Sequence, residues 1–469
     1  MPWFGMFDRP RPIAYNLHAT MRLSLLTSLR PSRRLVLVAF AVLGAGPVSA
    51  QRLVELYDAA RGYDAAFQSS QAAYDAAVSR GEQARAGLLP QAGLSAGVSR
   101  AYNELSLPRA DSGVTTQQWG VNAVQPLYRP VNALTFSQGQ RQIEIARAAL
   151  DATAQDLIVR TSAAYFDVLA AQDTLGVVQA QKQAVSEQRA FAQRNFELGN
   201  ATITDSREAQ ARYDLVVAQE IGAGNDLRTK RSALDQLVGR YGTTPRPLDP
   251  KARLPHLLPD MPQPWVDDAQ AYQPAIRQAQ IALDVARLEI QKAEAGHRPT
   301  VDLTAGYNAA RYPHGTTVIP AVSYRAQQAS VGVQLNLPLF AGFAIENRVR
   351  ETLSLEDKAM ADLEAARRNV AQSTRALFFG TLSAEGQVQA LEAAEASSQS
   401  ALEANQLGYQ VGVRINIDVL NAQSQLYQTK RDLAQARYNL LLNQIRLRQA
   451  AGTLLPQDLY TVDALLAAP

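Results

Sequence analysis

The chain has 469 residues, 46 Lys+Arg against 43 Asp+Glu, 47% hydrophobic and 19% charged, too polar for a polytopic helical membrane protein and too apolar for a disordered one. Aromatic residues make up only 7%, so long helices with narrow apolar seams fit better than thick globular cores. The absence of Cys removes disulfides, thiol catalysis and zinc–thiolate sites, and His18, His256, His297 and His314 include no pair at helical metal spacing.

At the N-terminus, Arg30, Arg33 and Arg34 precede the apolar run Leu35 to Gly46, and Val48-Ser49-Ala50 supplies the small residues of a cleavage site. Residues 1–50 read as a signal peptide, with Met21 as a possible true start and Gln51 as the first mature residue. The apolar run is far short of the ~20 residues that span a bilayer, and no later stretch is long enough. These 50 residues hold six Arg and one Asp, so their removal turns the net charge from +3 to −2. The apparent basicity is a targeting signal and does not argue for nucleic acid. Periplasm, outer membrane and medium remain as destinations.

In the first half, Leu94 to Tyr102 and Trp119 to Val124 alternate weakly at strand spacing, entered after Pro90 and left at Gln125-Pro-Leu-Tyr128. From about Val131 to Phe196 the period changes to seven, through Leu150, Leu157, Ala164, Ala171, Val178 and Val185, a coiled-coil seam on a helix roughly 100 Å long. It stops at Gly199, and a second helix follows to Gly239. Seven prolines between Pro245 and Pro264 then mark an ordered linker or strap. In the second half, Val301 to Tyr307 and Val331 to Leu337 alternate with Gly, Asn, Gln and Thr. A seam through Leu363, Val370, Leu377, Ala384 and Leu391 follows, stopping at Gly412, and a last helix reaches Gly452. A shift of 213 residues aligns a long stretch of the two halves without a gap, bringing Thr161 onto Thr374, Gly199 onto Gly412, Asp205 onto Asp418 and Gly239 onto Gly452. The organisation is therefore 51–240 as one repeat, 241–265 as linker, 266–455 as the second repeat and 456–469 as a tail.

Apolar residues alternating with Gly, Asn, Gln or Thr suit a transmembrane β-barrel wall, although a half-buried soluble sheet alternates identically. Four strands cannot close a membrane barrel, whose smallest versions have about eight, so membrane-crossing strands require an oligomer. The expected fold is mainly α, with long antiparallel hairpins and four β-strands per chain. The stretch Ala201 to Asp205, the run Gly408 to Asn421, and Ala422 to Gly452 with Leu426-Tyr427 and Ala434 to Tyr438 resemble the TolC family of outer-membrane factors over residues 51 to 465. The resemblance implies a homotrimer whose 12-stranded outer-membrane barrel continues into a periplasmic α-barrel. It also implies an exit duct joined through a periplasmic adaptor to an inner-membrane ABC or RND-type transporter, serving type I protein secretion, drug efflux or both. The lack of Cys excludes the lipid-anchored subgroup. The rival reading is the periplasmic coiled-coil adaptor itself, which would have one hairpin and a lipoyl-like β domain.

No phosphate loop, nucleophile elbow or zinc-protease pair is present, so neither catalysis nor a cofactor is expected. The resemblance places a periplasmic gate at Thr204, Asp205, Tyr409 and Arg414, with Tyr409 bonding Asp205, and Arg414 bonding Thr204 and a neighbouring chain. It also makes Asp418 a constriction ring of three like charges, attractive to cations. Asn421 stands where the family pattern has a second Asp. Gly199 and Gly412 mark turns against which an adaptor would dock. Read without the resemblance, the gate residues are solvated helix ends, with Asp205 favoured by a helix N-terminus.

Overall fold

The computed structural model describes residues 50–106, 109–199, 201–249 and 252–467. The signal-peptide and Met21 readings rest on residues 1–49, outside these. Each half runs helix, helix, strand, strand, long helix, long helix. The first half contains α1 (Leu53–Tyr63), α2 (Ala65–Ala86), β1 (Gln91–Ser106), β2 (Arg109–Tyr128), α3 (Pro130–Glu197) and α4 (Ile203–Val238). The second contains α5 (Pro262–Tyr272), α6 (Pro274–Glu294), β3 (Thr300–Tyr312), β4 (Tyr324–Asn336), α7 (Ala344–Gln410) and α8 (Asn416–Ala450), and α9 (Asp458–Asp463) follows. Among the described residues no helix is long and apolar enough to cross a membrane.

The long helices are placed by their sequence punctuation. Pro130 opens α3, where a missing N–H costs nothing. At 68 residues α3 extends roughly 100 Å. Gly199, Gly239, Gly412 and Gly452 all adopt positive φ at helix ends. The heptad seam is buried as expected at Leu150, Leu157, Ala171, Val178 and Val185. The largest core lies where α1, α3, α4, α8 and α9 meet, built on Leu53, Leu56, Tyr165, Phe166, Leu234 and Leu441. Polar rungs cross between helices outside it: Lys182 to Glu220 at 2.6 Å and Lys230 to Asp167 at 2.9 Å within the first hairpin, and Arg437 to Glu392 at 2.7 Å within the second.

The strap after α4 lies against α3. The Tyr165 hydroxyl donates to the carbonyls of Gln51 and Arg246 at 3.2 and 2.9 Å. The tail returns to the start of the fold: the Asp463 carboxylate accepts from the N–H groups of Leu53 and Val54, capping α1 where Arg52 offers no acceptor. Burial pushes that carboxyl above its usual range.

The four strands form one antiparallel sheet in the order β1-β2-β3-β4. All four helix junctions lie at one end of the sheet. The alternation separates two faces. Leu94, Val98, Tyr102, Trp119, Val121, Leu303, Val331, Val333 and Leu335 are exposed on one. The opposite face carries Ser95, Ser99, Asn122, Thr304, Asn308, Gln328, Ser330 and Gln334. Where the sheet meets α3, Arg129 grips Asp302 with two parallel bonds of 2.7 and 2.5 Å. β1 and β2 run beyond the spans read from sequence, because towards their far ends both faces turn polar and the alternation fades.

Candidate functional site

The two hairpin turns lie next to each other at the far end of α3, away from the sheet, because α3 of the first hairpin packs along α8 of the second. Val178, Val185, Ala192, Ala209 and Val216 of the first hairpin form one apolar cluster with Leu420 of α8. Halfway along, the Tyr438 hydroxyl donates to Asp173 at 2.6 Å. Burial raises the Asp173 carboxyl above its ordinary value, and Tyr438 is itself pushed up by burial. Closer to the turns, Arg431 donates to Gln181 at 3.0 Å.

At the first turn, Thr202 caps α4 and Asp205 occupies the third helical position. The Asp205 carboxylate accepts from the Thr202 N–H at 3.0 Å and from its hydroxyl at 2.7 Å, while the Asp205 N–H donates back to Thr202 Oγ1 at 3.2 Å, a complete capping box. Thr204 is exposed beside it. The expected Tyr409–Asp205 bond is not made within the chain. The capping box engages the carboxylate instead, and the Tyr409 ring packs edge-on against Phe191 of α3 at 5.8 Å.

At the second turn, the N–H groups of Val413 and Arg414 both donate to the Gly408 carbonyl, and Gly412 closes the turn at φ +80°. Gly408 is buried beneath Arg414, whose Cγ would lie 2.7 Å from any added Cβ. Arg414 faces Asp418 at 3.7 Å rather than Thr204. The 213-residue shift explains a difference between the two aspartates. Asp418 is equivalent to Asp205, but Ile415 replaces Thr202 and has no hydroxyl, so no capping side chain engages Asp418. Asn421 accepts from Arg212 of α4 at 3.1 Å.

The side chain that joins the turns is Asn416, which the sequence reading missed. It is fully buried. Its Nδ2 donates to the Asp205 carbonyl at 3.2 Å and its Oδ1 accepts from Gln188 at 2.5 Å. Its only local signal is one Asn between Ile415 and Ile417, and both partners lie in the other repeat. Among the described residues no acidic or His cluster could hold a metal ion.

Two hairpins whose long limbs run about 100 Å, rising into a sheet that is apolar on one face and polar on the other, define a helix-extended outer-membrane channel protein. The duplication also departs from the single hairpin of the rival adaptor reading. The family model for outer membrane efflux proteins matches residues 56–240 and 265–453, and the chain belongs to that family. It is 34% identical over 417 residues to the outer membrane protein TolC of Vibrio cholerae, covering 89% of this chain and 94% of the relative. It is 30% identical over 438 residues to the alkaline protease secretion protein AprF of Pseudomonas aeruginosa, covering 91% and 89%. The solved structure of the outer membrane protein VceC of Vibrio cholerae superposes with a TM-score of 0.72 at 18% identity, over 85% of this chain and 96% of that one.

Proposed function

We propose that three copies of this chain form a passive duct in the outer membrane of a Gram-negative bacterium. Twelve strands, four from each chain, close the barrel, and the hairpins extend it into the periplasm. The observation that carries this reading is the pair of unpaired sheet edges, β1 and β4, on a sheet whose apolar side chains are bare on one face. In hydrocarbon an open edge leaves backbone groups unsatisfied, so the strands need partners from other copies. Bare apolar side chains on α4 (Leu215, Ile221) and α7 (Leu353, Phe379) suit helix packing between copies in the same way. The turns at Gly199 and Gly412 receive a periplasmic adaptor, which links the duct to an inner-membrane ABC or RND-type transporter. The name of the relative AprF supports protein export as one use of the duct, and the family description supports efflux as another. A duct of this kind performs no chemistry and takes its substrate from the pump behind it.

Thr204, Asp205, Tyr409 and Arg414 surround the narrow end, with Asn416 holding the two turns of each chain together. Three copies of Asp418 form a cation-attracting ring. Asn421 adds no second charge, so multivalent cations bind more weakly than at two acidic rings. Single-channel recordings test this directly. Cation selectivity and trivalent block that disappear in Asp418→Ala support the ring; unchanged block removes it. Fractionation tests the duct itself, which should be recovered as a heat-sensitive oligomer with the outer membrane. A soluble periplasmic monomer would refute it.

A further inference from the structure

The apolar face of the sheet ends in arginines. In register, the lowest row joins Leu335 to Val301, and the rows above it carry Val333 and Leu303, Val331 and Ala305, then Tyr307 and Val121 with Leu94. Trp119 packs on Tyr307 at 5.4 Å near the top of this band. The next row up is Val98, Gln117, Arg311 and Arg325, and Arg100 stands one row higher on β1. Ten residues separate Leu335 from Arg325. At ~3.4 Å per residue and a tilt of ~40° this is a rise of roughly 25 Å, the height of a barrel's apolar band. The arginines therefore stand at the far edge of that band, at the end opposite the helices.

Two features of this cluster lack an explanation within the chain. Arg311 and Arg325 are direct cross-strand partners, a placement in which like charges repel. Both are exposed, and among the described residues no carboxylate pairs with either of them or with Arg100. Glu104, on the same face, stands four residues beyond Arg100, roughly 14 Å along the strand. Beneath the cluster lies a hollow of about 770 Å³, floored by Val98, Trp119 and Ala309 and rimmed by Gln117, Arg311 and Arg325. An apolar floor under a cationic rim suits a ligand with acyl chains below and an anion above.

We propose that Arg311, Arg325 and Arg100 bind the phosphate groups of a phosphorylated glycolipid of the outer leaflet, whose chains lie on the Trp119–Tyr307 shelf. The planar guanidinium fork matches phosphate oxygens, and the aromatic pair sits at the depth where interfacial rings anchor. A headgroup anion between Arg311 and Arg325 turns their repulsion into a shared attraction. The site rests on the outer-membrane reading above, since only that reading sets this row at headgroup height.

The test uses the full-length oligomer in detergent, with bisphosphorylated lipid A, the same lipid stripped of its phosphates, and inorganic phosphate as probes. The wild type should bind the phosphorylated lipid about tenfold or more tightly than the stripped one, the scale of one or two charge-assisted contacts. Arg311→Gln with Arg325→Gln should erase that preference, whereas Arg368→Gln on α7 should not. An equal preference in the double variant, or none in the wild type, overturns the site. Full displacement by inorganic phosphate at the lipid's own affinity assigns a free-anion site and overturns the lipid. Fractionation of the same variants separates the two readings: recovery with the outer membrane without phosphate preference sinks this site alone, and absence from the outer membrane sinks the duct.

Discussion

Asn416 and Asp64 show how single polar side chains lock long helices in place. Asn416 satisfies both ends of its amide in the first hairpin, so Asn416→Ala takes from the Asp205 carbonyl its bond across the turns and leaves the Gln188 amide without its partner, at a cost of about 1–3 kcal/mol. We expect that variant to raise bilayer conductance severalfold. Tyr409→Phe alone should leave it near wild type, because the ring contact with Phe191 survives the change. Asp64 caps α2 through the Phe67 N–H and accepts two bonds from Arg160 at 2.8 and 3.0 Å. The Arg160 bonds hold its carboxyl below the usual carboxylate value. Its contribution is therefore complete above the ordinary Asp range and is lost as pH falls through the lowered value. Asp64→Asn should destabilise the protein by about 2 kcal/mol at neutral pH, and the difference from wild type should shrink as denaturation is followed below about pH 4. The proposed gate positions were legible in the sequence only through resemblance. Asn416 was not, because its partners lie 211 and 228 residues away.

At the level of elements, glycines and seams were the readable signals. All four turn glycines hold positive φ, yet their surroundings differ. Nothing lies within 4 Å of a Cβ added to Gly199, whereas a Cβ on Gly452 would meet the backbone of Tyr272 and Gln273 at 2.5 to 2.7 Å. Gly199→Ala should therefore cost only the conformational strain, about 1 kcal/mol. Gly452→Ala must also displace backbone and should cost clearly more, about 3 kcal/mol or above, in the thermal transition of the oligomer. Heptad positions were legible because a seam repeats whatever covers it. The ends of β1 and β2 were not, since Arg100 and Glu104 on the apolar face break the two-residue alternation while backbone pairing continues through Ser106 and Arg109.

For the whole molecule, the 213-residue self-match made the paired hairpins legible in the sequence, and the two-residue alternation did the same for the four strands. What it could not give was how the repeats face one another, which depends on the packing of α3 against α8 and on the strap and tail that close the core around Tyr165. The same duplication leaves β1 and β4 as the two open edges of one sheet, and the proposed duct requires that each edge find the opposite edge of another copy. The chain has no Cys, so introduced thiols report this without background. The most direct measurement is a crosslinking scan in intact cells, pairing Ser95→Cys or Ser99→Cys on β1 with Gln328→Cys or Ser330→Cys on β4. A ladder of covalent species that ends at three chains is the predicted result, and a ladder running past three, or no crosslink between chains at any pair, would contradict the closed trimeric barrel.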